Sequence, residues 1–186
     1  MIMLRQVGII LFLVLFCATT LSVAQKNYYT ATKIFYASDY TYQCDATTSF
    51  IVLYNANNMW TGTNQVVRSS GEEFEILDEN VELFTAISWQ EVKNQWQTIV
   101  DEAFSDEQKQ SIGETELFIN FYVNTETGKL DDVSFEFANF GPYAAIPVSV
   151  YRALEVKLKE VSQLVLTDEG EKLNYVYLWF AVAPRK

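Results

Sequence analysis

Carboxylates are the reactive groups this chain has in quantity. It holds 24 aspartates and glutamates against 13 lysines and arginines, and no histidine. Without an imidazole there is no Ser-His-Asp or Cys-His relay, no histidine general base and no histidine-containing zinc site. Two carboxylates, one held protonated and the other ionised, can still hydrolyse a glycoside. The densest acidic group is Glu72, Glu73, Glu75, Asp78, Glu79 and Glu82. It reads either as a solvated face or as a loose calcium site. The helix–loop–helix calcium pattern itself fails: Asp78, Asn80 and Glu82 alternate as its first ligands do, but Leu83 stands where the turn glycine belongs and Trp89 where the last glutamate belongs.

Other chemistries find less. No Ser-x-x-Lys pair occurs, so a lysine–serine dyad would have to form in space. No G-x-G-x-x-G is present, and Gly128-Lys129 is followed by Leu130 where a phosphate-binding loop needs Ser or Thr. That pair reads as a hairpin turn. No catalytic, cofactor-binding or metal-ligating residue is assigned on this basis. Trp60, Tyr54 and Tyr143 lie in or beside loop-like segments, where an aromatic side chain either fills the core, stacks on a sugar ring or anchors a partner.

The elements that would position these groups follow from the pattern of apolar residues. Met1–Val7 carries one basic residue, Arg5, and no acidic one; an apolar run to Cys17 follows, and Ser22-Val23-Ala24 is a small-residue cleavage site. Residues 1–24 therefore read as a secretory signal peptide, cut near Ala24, and residues 25–186 as one exported domain, periplasmic or secreted. Phe16 before Cys17 disfavours a lipid anchor. The mature chain then has one cysteine, Cys44, and no internal disulfide, so its stability must come from its core. The net charge of −11 at pH 7 repels phosphate backbones and anionic membranes, which excludes nucleic acid as a partner class. No span of the mature chain reads as a membrane helix.

Lys33–Ala46 and Ser49–Tyr54 read as strands, Asn55–Gly71 as loop, and Glu72–Glu82 as an acidic edge strand. Ser88 and Glu91 form a capping-box pattern, and Trp89, Val92, Trp96, Ile99, Val100, Ala103 and Phe104 then share one helix face. A short helical turn is expected from Ser105 to Ile112, stopped at Gly113. Leu117–Asn124 alternates, residues 125–129 make a hairpin loop, and Val133, Phe135 and Phe137 alternate on the returning strand. Pro147 suits the first turn of a helix running to about Leu164, with Val150, Tyr151, Leu154, Leu158, Val161, Leu164 and Val165 on its apolar stripe. Leu173–Val182 is apolar on both faces, as a strand covered on both sides would be. The reading is α+β: an antiparallel sheet with two long helices packed on it, its carboxyl-terminal half ordered strand, strand, helix, strand.

That second half, FINFYVNTETGKLDDVSFEF, then a helix, then YVYLWFAV, resembles the carboxyl-terminal domain of TonB-like envelope proteins across residues 117–182. The whole chain resembles the small exported proteins of Bacteroides-type gut bacteria. These likenesses imply an envelope location and supply no catalytic residue. The leading functional expectation is a non-enzymatic binding or interaction module that takes an envelope protein or peptide by strand addition, either at Leu173–Val182 or at the 117–137 hairpin. A small-ligand carrier with an aromatic-lined pocket between sheet and helices, and a histidine-free hydrolase built on paired carboxylates, are the alternatives. No cofactor is expected.

Overall fold

The computed structural model describes residues 26–74 and 82–185. Its centre is one six-stranded sheet, antiparallel throughout: β1 (Lys33–Tyr36), β2 (Thr41–Ala46), β3 (Phe50–Asn55), β4 (Leu117–Val123), β5 (Leu130–Ala138) and β6 (Val176–Val182), in the order β1-β2-β3-β5-β4-β6. The helices are α1 (Ala86–Ala103), α2 (Asp106–Ile112), α3 (Val148–Val161) and the short α4 (Asp168–Glu171). The expected α+β class and the two long helices, α1 and α3, are present.

Alternation decides which face of the sheet is covered. Leu117, Ile119, Phe121 and Val123 of β4, and Val133, Phe135 and Phe137 of β5, all point into the core, as their spacing predicted. The predicted stripe of α1 meets them: Val92, Trp96, Ile99, Val100 and Phe104 are buried. The Trp96 indole stacks on Phe121 with ring centroids 3.8 Å apart and planes 13° apart. Tyr151 of α3 stacks on Phe137 at 5.3 Å and 5°. Such ring pairs add about 0.5–1.5 kcal/mol each beyond the area they bury. The layer between helices and sheet is thus filled with rings.

Several boundaries differ from the sequence reading. The first helix starts at Ala86 with Thr85 as N-cap, so Ser88 lies inside its first turn rather than capping it. The capping box is found one helix later: the Ser105 hydroxyl accepts from the Gln108 amide, and the Gln108 side chain accepts from the Ser105 amide. The third helix ends at Val161, not near Leu164, and Val161 and Val165 are exposed. Lys33–Ala46 is two strands joined by a turn, Ala37 donating to the Tyr40 carbonyl. The acidic edge strand expected at Glu72–Glu82 lies mostly outside the described residues; within them, Glu73 bridges Val66.

The strand order changes the expected sites of strand addition. β6 is an edge strand, covered by helices on one face only: Tyr177 and Trp179 are exposed on the other. The expectation that it is covered on both sides is therefore wrong. The hairpin 117–137 is not an edge, because β4 and β5 pair with each other and with β6 and β3 on their far sides.

Candidate binding surfaces

The residues with chemical potential fall into one buried cluster, one pair of loop-anchoring acids and three surfaces. The buried cluster is centred on Glu155 of α3, which is 1% exposed. Its carboxylate accepts from the Tyr42 hydroxyl across the core, from Arg152 at 2.9 Å and from Lys159 at 3.4 Å. Burial, then the Glu155 charge and hydrogen bond, push the Tyr42 phenol far above its ordinary value. With Glu155 itself buried and bonded to three partners, the cluster reads as a structural network.

Asp131 and Asp132 sit at the start of β5 and hold the 56–63 loop. Asp132 accepts from the Met59 and Trp60 amides, each at 2.6 Å. Asp131 accepts from the Trp60 indole at 3.2 Å and from Asn124 at 3.1 Å. Burial raises the Asp132 carboxyl above the usual range, against the pull of those two amides. Both acids are occupied with loop anchoring. Among the described residues no three acidic or cysteine side chains converge as a metal site. The acidic group at 72–82 is only partly described, and Glu75, Asp78 and Glu79 lie outside those residues.

The first surface is the outer edge of β6. Its seven residues, VYLWFAV, include no charge and no proline. β1, the opposite edge, is four residues long and begins with Lys33. Alongside β6, α1 presents Gln90, Asn94 and Gln97 on one stripe; these, with Lys93, Phe180 and Arg185, line a groove of about 380 Å³. Gln97 donates to the Ala183 carbonyl, and Asp101 holds the Arg185 guanidinium at 3.0 Å, so the strand's exit is pinned to α1.

The second surface is the face of the sheet away from the helices. Phe118 and Trp179 face each other there, centroids 5.9 Å apart, beside Tyr177. Glu136 and Asp45 flank the same rows, and none of the strand positions on this face is a lysine or arginine.

The third is a cleft that adjoins that face. Residues 65–67 pair on one side with 72–74 and on the other with 172–174: Phe74 donates to the Gln65 carbonyl, Asn174 to that of Val66, and Arg68 to that of Lys172. The resulting flap stands over the tyrosines of β4 and β6 and leaves about 330 Å³ between them, lined by Gln65, Asn64, Glu73, Phe74, Tyr122 and Tyr177 among others. The tyrosines are locked: Tyr175 donates to the Thr63 carbonyl at 2.6 Å and Tyr177 to Asn120 at 2.9 Å. Burial, then neighbouring charges, push the Tyr177 phenol up to about 12.

Of the aromatics singled out in the sequence, Trp60 packs on Tyr175 at 4.9 Å beside the cleft, Tyr54 lies on the outer face bonded to Asp45, and Tyr143 is core. The cleft and Gln65 were not anticipated. Pairing between residues 65–67 and 172–174 creates them, and no local spacing reports that pairing. Between sheet and helices the described residues place stacked rings, Trp96 on Phe121 and Tyr151 on Phe137. The cleft carries one carboxylate, Glu73, and the groove none.

These features define an α+β protein in which one antiparallel sheet packs against two long helices. The chain belongs to a family described as a domain of unknown function (DUF5043), whose profile matches residues 25–180. It is similar to a DUF5043 family protein from Bacteroides uniformis ATCC 8492 of known crystal structure, at 35% identity, with a TM-score of 0.78, over 84% of this chain and 88% of that one. No curated protein matches it. The kinship with Bacteroides-type proteins is therefore established, whereas neither match extends to TonB.

Proposed function

We propose that this chain is an exported, non-enzymatic binding module of the cell envelope, which takes an extended partner segment at the open edge of β6. The observation that carries the reading is the unguarded edge. Soluble proteins blunt edge strands with charges, prolines or short length, since unpaired amides and carbonyls template further pairing. β1 is blunted in this way and β6 is not. A strand added there gains main-chain hydrogen bonds, and its alternate side chains meet Phe180 and the amide stripe of α1 on one side, Tyr177 and Trp179 on the other. Export rests on the leader-like pattern of residues 1–24. No helix among the described residues is long and apolar enough to cross a membrane.

The test is selection of extended peptides from a displayed library against residues 25–186, followed by amide hydrogen exchange with the selected peptide bound. Protection confined to residues 176–182 supports strand addition. Peptides that bind while β6 exchanges unchanged would overturn it.

A further inference from the structure

The β6 edge is complementary to a copy of itself. Its sequence is VYLWFAV, with Trp179 at the midpoint. Antiparallel pairing about a two-fold axis through Trp179 matches every residue of the strand. Tyr177 then faces the partner's Ala181 on the outer side of the sheet, and Trp179 faces its own copy. On the helix side Leu178 faces the partner's Phe180, and Val176 the partner's Val182. Large meets small, apolar meets apolar, and no like charges are opposed, because the strand carries none. Any other register leaves part of the strand unpaired, and sliding toward the carboxyl terminus brings in Pro184, which has no amide hydrogen to give.

The helix layer fits the same axis. α1 lies over β4 and β6: Trp96 stacks on Phe121 and meets the Phe180 ring at 6.0 Å. Strands lie about 4.8 Å apart, so a sheet continued through β6 sets the second α1 two strand spacings away, about 10 Å, the distance between packed helices. Each helix then shows the other the stripe of Gln90, Asn94 and Gln97 that walls the β6 groove. Amides both donate and accept, so this stripe suits its own copy. The charges beside it are engaged within the chain: Arg185 with Asp101, and Lys93 over the Trp89 ring at 5.2 Å.

We propose, resting on the reading of β6 as an edge that accepts a strand, that the segment it takes is β6 of a second copy, in a two-fold dimer with one sheet running through both chains. Closure leaves only the short β1 edges at the two ends, so pairing stops at two copies.

The test uses residues 25–186, which include every described residue. Sedimentation velocity up to about 0.1 mM should show a reversible dimer. Both copies are acidic, so raising the salt should strengthen it by screening their repulsion. Amide exchange at residues 176–182 should slow as concentration rises. The register is read by cross-linking with oxidised glutathione, which takes up the electrons as two thiols join. Opposed residues of an antiparallel ladder have Cα atoms about 4.5–5.5 Å apart, within disulfide reach. Trp179→Cys should therefore give a covalent dimer. Tyr177→Cys should not, since each such residue lies four positions, about 14 Å, along the strand from its copy. Tyr36→Cys, exposed on the opposite edge, is a second control. A chain that stays monomeric while a selected peptide protects residues 176–182 would overturn the second copy and leave strand addition standing. Monomer without peptide protection would overturn both. A dimer that cross-links through Tyr36→Cys, or no faster through Trp179→Cys than through Tyr177→Cys, would overturn this interface.

Discussion

Tyr42 of β2 and Glu155 of α3 meet in the core, the phenol donating to the carboxylate, with Arg152 and Lys159 closing on the same acid from the helix's solvent side. Breaking a buried ion pair by removing one partner costs about 3–5 kcal/mol, since the other charges stay behind. Glu155→Ala strands a phenol and two cations and is expected to fall in that range. Tyr42→Phe removes one donor from an acid that keeps two, so it should cost about 1–3 kcal/mol. The double variant should cost less than the sum, because the groups share one network. Urea unfolding of the four proteins measures this; strict additivity would count against a coupled cluster.

Asp132 gives a pH signature. Burial holds its carboxyl above the ordinary value, so the folded chain takes up this proton more readily than the unfolded chain. Between the ordinary carboxylate value and the raised one, stability should fall as pH rises, the reverse of an ion-paired acid. Asp132→Asn keeps an oxygen for the Met59 and Trp60 amides and abolishes the titration. Melting temperatures followed from pH 3 to 7 should therefore differ in slope between the two proteins across that window. Parallel curves would mean that Asp132 does not carry the dependence.

Cys44 should be chemically silent. It is fully buried on β2, and burial pushes its thiol up to about 11, so little thiolate exists at neutral pH. Labelling by a thiol reagent is expected to proceed only through global opening and to track the unfolding equilibrium as urea is added. Rapid labelling of the folded protein would reopen the intermolecular disulfide that Cys44 would offer if residues 1–24 are removed on export.

The hairpin 125–129 tests a close approach. Gly128 has φ +69°, and a Cβ there would lie 2.0 Å from the Leu164 carbonyl oxygen, while its own carbonyl accepts from the Leu164 amide. Gly113 also has positive φ but nothing within 4 Å. Gly113→Ala should cost only the strain of a backbone (φ +59°, ψ −124°) that side-chain-bearing residues rarely adopt, about 1–3 kcal/mol. Gly128→Ala must also displace the segment after α3, and should cost clearly more. Equal losses by thermal unfolding would show that the segment moves freely.

What could be read from the sequence divides along physical lines. β4, β5 and the buried face of α1 were legible because alternation and the helical repeat are local and each buries one side. β6 was misread because outward aromatics at an open edge look, residue by residue, like a strand buried on both faces. Glu155 escaped because a carboxylate on an apolar stripe reads as a lapse in the pattern; the faint signal was a base at each end, Arg152 and Lys159. The capping pattern at Ser88–Glu91 was satisfied in letters, yet α1 starts at Ala86 after Thr85, and the box formed at the start of α2, Ser105–Gln108. The flap over the cleft depends on residues 65–67 finding 172–174, contacts more than a hundred residues apart in sequence, as between Val66 and Asn174.

The β6 edge makes the last prediction, and β1 supplies its control. Trp179 is exposed on the outer face of the edge strand but packs on Phe118, so Trp179→Lys should cost no more than about 1.5 kcal/mol, the worth of that ring pair. It places a charge on an edge that has none, the device by which natural sheets refuse further strands. Tyr36→Lys puts the same charge on the opposite edge, on a strand already short and led by Lys33. Any self-association or peptide binding that uses the open edge should be weakened by Trp179→Lys and left intact by Tyr36→Lys. Sedimentation velocity across a concentration series, with peptide titrations on the same three proteins, reads the difference. If both variants act alike, net charge and not the β6 edge governs association.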